Sequence, residues 1–215
     1  MNLRQPTSRR IAAIKAALFL LCLLPLARLI VGAVQDDLGA NPIEFIARSL
    51  GTWTLNFLLI TLTVTPLRHL TGAHWLLRLR RMLGLYVFFY AALHLATYLW
   101  LDQFFDWAAI ARDIVKRPFI TAGFAAFVLL VPLAATSNNA MVRKLGGRRW
   151  TRLHRSVYAI AIIGVIHYWW LVKRDLTQPI IYGSIVLAFL AARLLLRRQK
   201  PKVRPRPVAT AREPA

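Results

Sequence analysis

Five histidines are the residues of this chain best suited to chemistry, and their settings divide them. His94 and His167 stand inside long apolar runs, and His154 stands at the edge of one. His69 and His74 fall in a short polar stretch and read as solvated loop residues. An imidazole among apolar residues is costly unless it is bonded or ligating, so His94 and His167 are functional candidates by default. The single cysteine, Cys22, permits neither an intrachain disulfide nor a cysteine metal site.

The elements that must position these rings are membrane spans. The 215 residues are 58% hydrophobic and only 17% charged, against the roughly 25% charged usual for a soluble domain. Six apolar runs are expected to cross a bilayer as helices: Ala16–Val34, Trp53–Leu67 (starting near Leu50), Met82–Leu101, Pro118–Ala135, Val157–Val172 and Ile180–Leu196. The runs are continuous rather than alternating, which excludes an outer-membrane barrel. The expected fold is an all-α polytopic bundle. Residues 1–15 form a cytoplasmic N-terminus, 16–196 the six-helix domain, and 197–215 a basic, proline-rich cytoplasmic tail expected to be disordered and drawn to anionic lipid.

Charge sets the orientation. The net charge of +21 suggests a nucleic-acid binder until the basic residues are placed. Twenty-two of the 29 lie in the N-terminus, the loops between spans two and three and between spans four and five, and the tail. The other loops hold seven of the eight acids. This alternation follows the positive-inside rule, puts both termini in the cytoplasm and removes the case for nucleic acid. Ser8-Arg9-Arg10 resembles a twin-arginine export signal, but it precedes a run long enough to span and reads as a cytoplasmic anchor.

Depth then pairs two histidines. Spans three and five both run outward, and His94 and His167 each lie about 12 residues along, or ~18 Å. Two imidazoles at one level on parallel helices can be axial ligands of a heme. The other reading is two unrelated polar side chains bonded to neighbouring helices. His154 lies ~20 Å nearer the cytoplasm, where an inner heme would sit. Its ring would point roughly 140° away from His167 on an ideal helix, so either the helix start is distorted or His154 has another task. The positions opposite it on span three are Arg80 and Arg81, which cannot ligate iron but can hold heme propionates or a flavin phosphate. The competing reading makes them positive-inside anchors. Met141 is a conceivable second axial ligand.

Arg28, in the outer half of span one, either snorkels to the outer surface or meets a propionate of the outer heme. Trp100, Trp107, Tyr168, Trp169 and Trp170 form an expected outer aromatic belt, with a docking surface or electron path as the second reading. Gly84 is expected to permit a close helix approach.

Several stretches then carry a family resemblance: Arg80-Arg81-Met82-Leu83-Gly84-Leu85 leading to Leu93-His94, Thr136-Ser137 through Leu145-Gly146, Trp150-Thr151-Arg152-Leu153-His154, Tyr158, and Ile166-His167-Tyr168. With Thr61-Leu62 and Thr65-Pro66-Leu67, they resemble the MsrQ (YedZ) family, within the wider ferric-reductase-like transmembrane group. The resemblance covers nearly the whole chain except the tail. It implies a multi-pass protein of the bacterial inner membrane that carries b-type heme, with His94, His154 and His167 at the heme-associated positions, and FMN. It also implies electrons taken from the quinone pool or a flavin reductase and passed to a periplasmic molybdopterin-containing methionine sulfoxide reductase subunit. Such repair is chemically sensible, because methionine oxidation is reversible.

Against the larger ferric reductases the chain lacks a fourth histidine, which leaves the inner heme in question. It has no soluble flavin and nicotinamide domain, so its reductant is expected to be a separate molecule. No glycine-rich phosphate loop places FMN on named residues. The chain is thus expected to be an electron-transfer subunit rather than the one that reduces the substrate. Two alternatives stay open: a stand-alone membrane cytochrome reducing ferric iron or oxygen, and a small proton-coupled transporter without heme.

Overall fold

The computed structural model describes residues 6–172 and 174–198. Arg4, Lys173 and residues 199–215 of the expected tail lie outside the described residues. The described chain is helical throughout, in nine α-helices joined by short turns.

α1 (Ser8–Val34) starts two turns before the expected span, capped by the Thr7 hydroxyl accepting from the Arg10 N–H. α2 (Pro42–Thr71) also starts earlier than expected. Asn41 caps it, accepting from the Glu44 N–H at 3.2 Å while its own amide donates to the Glu44 carboxylate at 3.1 Å. Pro42 occupies the first helical position, and Gly72 closes the helix in the left-handed region at φ 69°. Glu44 and Arg48 interrupt the apolar pattern there, which hides this part of the helix from a search for apolar runs. α3 (Leu77–Ala96) continues into a wide π turn, Thr97–Asp102.

Between the expected third and fourth spans lies α4 (Trp107–Lys116), a short helix absent from the sequence reading. α5 (Pro118–Ala135) has the expected bounds. The basic loop after it folds into α6 (Asn139–Leu145) and α7 (Gly147–His154). α8 (Val157–Leu171) and α9 (Thr177–Arg198) complete the bundle.

Among the described residues, five helical segments are long and apolar enough to cross a membrane: Ser8–Val34, Pro42–Thr71, His74–Asp102, Pro118–Ala135 and Thr177–Leu195. α8 is the exception. Its 15 residues span ~22 Å, against a hydrocarbon core of about 30 Å.

α2 packs chiefly on α3, and α5 on α8; α3 joins the two pairs through α5, and α9 closes against α8 and α2. α1 stays at the periphery, against α2 and α3. The core is apolar and aromatic, centred on Phe57, Leu83, Val87, Tyr90 and Ile160. Large apolar side chains also cover the outside, including Leu20, Leu24, Leu187 and Leu194, as a lipid-facing surface requires.

Tyr90 ties α1 to the bundle. Pro25 lies inside α1 and opens its hydrogen-bond ladder. The fully buried Tyr90 hydroxyl enters the gap, accepting from the Leu26 N–H at 3.2 Å and donating to the Cys22 carbonyl at 2.7 Å. One turn earlier, Tyr86 donates to the Phe19 carbonyl at 2.8 Å. A neighbouring helix thereby bonds backbone groups of α1 on both sides of the proline, as an apolar medium favours.

Candidate functional site

His94 sits in the last turn of α3, just before the helix widens into the π turn. Its Nδ1 donates to the Ala47 carbonyl of α2 at 2.9 Å. His167, near the end of α8, donates from Nδ1 to the Phe119 carbonyl of α5 at 2.6 Å. A carbonyl only accepts, so each Nδ1 carries the proton and each Nε2 keeps its lone pair. This is the tautomer that a metal-ligating imidazole needs, and the backbone partner fixes the ring's orientation.

Both rings rest on glycine. Gly51 lies one turn beyond Ala47, and a Cβ there would stand 3.2 Å from His94 Cε1. Gly123 lies one turn beyond Phe119, and a Cβ there would stand 2.9 Å from His167 Cε1 and Nδ1. The two helix pairs therefore use the same device, a carbonyl at one position and a glycine four residues on. The sequence reading missed all four residues. The available signal was a glycine inside each apolar run, where its helix cost calls for a packing reason.

The two rings meet. Their centroids are 6.1 Å apart and their planes 72° apart. With a metal–imidazole bond of about 2 Å and about 1.1 Å from nitrogen to ring centre, two rings sharing one ion stand about 6 Å apart. No cluster of three or more His, Cys, Asp or Glu occurs among the described residues. Two imidazole donors at this separation fit an iron whose other donors come from a macrocycle, as in a bis-histidine heme.

His154 is held elsewhere. It ends α7, and Arg155 and Ser156 separate it from α8, so the two histidines are not on one helix and the ideal-helix angle does not apply. The ring stacks on Trp150 at 3.8 Å between centroids. Nδ1 donates to the Trp150 carbonyl at 3.1 Å, and Nε2 lies 3.5 Å from Ser137 Oγ. Burial pushes this imidazole below its ordinary pKa, with the Arg80 charge acting in the same direction.

The arginines separate as well. Arg80 is half-buried, against Tyr158 and within electrostatic range of His154, Arg193 and Arg68. Arg81 is exposed, and Arg28 is exposed on peripheral α1. His69 and His74 are exposed, as expected, with His69 Nε2 accepting from Arg68 Nη2 at 2.7 Å. Trp100, Trp107, Trp169 and Trp170 are exposed, which suits a belt. Gly84 departs from expectation: a Cβ there would meet no atom within 4 Å, so it permits no close approach.

Comparison with known proteins places this architecture. Residues 49–165 match the family model described as the ferric reductase like transmembrane component. A relative from Azospira oryzae, named protein-methionine-sulfoxide reductase heme-binding subunit MsrQ, is 62% identical over 194 residues, 90% of this chain and 83% of its own length. The chain belongs to the MsrQ family. MsrQ proteins of the same printed name from Herminiimonas arsenicoxydans and Ralstonia nicotianae are 56% identical over 197 residues and 54% identical over 188. These matches cover 91% and 86% of this chain, and 90% and 87% of the relatives. No solved structure matches. As a member of the MsrQ family, the chain is a multi-pass inner-membrane protein, and the matched segment contains Gly51, His94, Gly123 and His154.

Proposed function

We propose that this chain is the heme-binding, electron-transferring membrane subunit of a methionine sulfoxide reductase system. The observation that carries the reading is the His94–His167 pair, edge to face with ring centroids 6.1 Å apart and both Nδ1 atoms tied to backbone carbonyls. The relatives' printed name, heme-binding subunit, describes the same chemistry in those proteins.

Heme b, when bound, supplies one-electron chemistry that side chains cannot. His94 and His167 hold its iron, and the Ala47 and Phe119 carbonyls keep both rings oriented. His154, half-buried at the basic end, is the position for an inner iron. Of the three arginines expected to meet propionate or phosphate, the inward-facing Arg80 is best placed; Arg81 and Arg28 serve from exposed positions. FMN rests on the family resemblance and has no assigned residues.

The chain crosses the membrane six times with both termini cytoplasmic, α8 being the short crossing, and the charge alternation supports this. It takes electrons at the basic end from quinol or a cytoplasmic flavin donor. It delivers them at the aromatic-rich outer end to a periplasmic molybdopterin-containing reductase, which acts on the sulfoxide. The membrane domain of residues 16–196 performs this task, and the tail from residue 197 adheres to lipid.

A reduced-minus-oxidised visible spectrum of the purified protein, with heme counted per chain, tests the reading. Heme that falls away in His94→Ala and in His167→Ala upholds it. Folded protein expressed with ample heme and lacking a Soret band overturns it.

A further inference from the structure

Three arginines lie at the basic end with no ion pair to an acid among the described residues. Arg68 comes from α2, Arg80 from α3 and Arg193 from α9, and all three are half-buried. Arg80 lies within electrostatic range of both others. Arg193 sits over the Tyr158 ring at 4.5 Å from its centroid. Arg68 Nε is buried with no hydrogen-bond partner among the described residues. The described ion pairs, Arg48–Glu44 and Arg117–Asp113, belong to the acid-bearing loops of the opposite end.

Like charges gathered in a half-buried site are unfavourable unless something negative joins them. Beside Arg193 and Tyr158 lies a narrow cleft of about 10 Å³, room for a water-sized group. It opens between α2, α8 and α9, with Leu62, Pro66 and Phe189 as apolar walls and Thr65, Tyr158 and Arg193 as polar lining. Arg193 lies three residues before the last described turn of α9, close to where the helix leaves the bilayer. A basic patch at this level, bordered by lipid-facing apolar side chains, fits a phosphate that arrives with an acyl chain attached.

We propose that Arg68, Arg80 and Arg193 bind the phosphate of an anionic phospholipid, whose chain lies against the lipid-facing surface of the bundle beside them. The arginines complement its charge through N–H···O bonds. The Tyr158 ring holds Arg193 in place through its π face. This site is separate from the His94–His167 pair, and it gives Arg80 to the lipid in place of a propionate or a flavin phosphate.

The test uses the full-length protein in mixed micelles, with lipid occupancy read by native mass spectrometry. Phosphatidylglycerol is titrated against phosphatidylcholine in the wild type, Arg80→Gln, Arg193→Gln and the exposed control Arg81→Gln. Phosphatidylglycerol is expected to be retained over phosphatidylcholine by the wild type and by Arg81→Gln. Arg80→Gln and Arg193→Gln are each expected to weaken that retention about 5-fold. If Arg80→Gln fails to fold, Arg193→Gln and the wild-type lipid competition still decide. Equal retention of the two lipids by the wild type overturns the proposal. So does displacement of phosphatidylglycerol by millimolar inorganic phosphate, which would mark a site for a soluble phosphate. Loss of heme from the two variants with lipid retention unchanged also overturns it, by assigning these arginines to propionates.

Discussion

The His167 ring lies so close to Gly123 that a single methyl group has no room between them: a Cβ at residue 123 would stand 2.9 Å from two ring atoms. His94 stands in the same relation to Gly51, with slightly more space at 3.2 Å. The glycines set how deeply each ring can sit against its carbonyl partner.

Gly123→Ala is therefore expected to push the His167 ring off the Phe119 carbonyl, at a cost of about 1–3 kcal/mol for overpacking. Heme per chain should fall sharply, and the thermal midpoint should drop. Gly51→Ala is expected to do the same more mildly. Spectra and unfolding curves of both variants check the order; an alanine at 123 with full heme content would contradict it.

Tyr90→Phe removes the hydroxyl that bridges Cys22 and Leu26 across the opening at Pro25. A buried carbonyl and a part-buried N–H then lose this partner, which costs about 1–2 kcal/mol. Unfolding in detergent should shift to lower temperature while the visible spectrum of bound heme stays unchanged. Tyr86→Phe, one turn away, is expected to act less strongly, because Tyr86 makes one such bond.

His154→Ala separates the two histidine environments. The ring belongs to a short helix and stacks on Trp150, away from the His94–His167 contact. The variant should keep the heme held by that pair. If an inner heme is present, heme per chain should fall by about half. Unchanged stoichiometry would restrict His154 to its contacts with Trp150 and Ser137.

The length of α8 makes topology testable. The native thiol of Cys22 is buried, so single cysteines can be introduced against a quiet background. Cysteine at Asp37, Gln103 or Asp175 should react with an impermeant maleimide from the outer side. Cysteine at His74 or Asn139, both exposed, should react only from the inner side. Inner labelling at Asp175 would show that α8 does not cross. Outer labelling would mean that the bilayer thins around a ~22 Å helix or its ends are extended by flanking residues.

The sequence by itself determined the apolar helices, their alternation of charge and the two histidines at one depth. These are properties of composition and periodicity, which a single strand of text displays. α5 had its bounds in the text because Pro118 and the run after it coincide with the helix. α2 did not, because Asn41, Glu44 and Arg48 interrupt the apolar pattern while capping and extending the helix.

Tertiary structure decided what the histidines touch. Ala47 and Phe119 act through backbone carbonyls, which leave no mark on residue type. Gly51 and Gly123 act by what they lack, and that matters only once a neighbouring helix brings a ring against them. The grouping of Arg68, Arg80 and Arg193 joins residues up to 125 positions apart, and no local pattern links them. Packing alone turned Arg80 inward and left Arg81 exposed, because adjacent positions on a helix point about 100° apart.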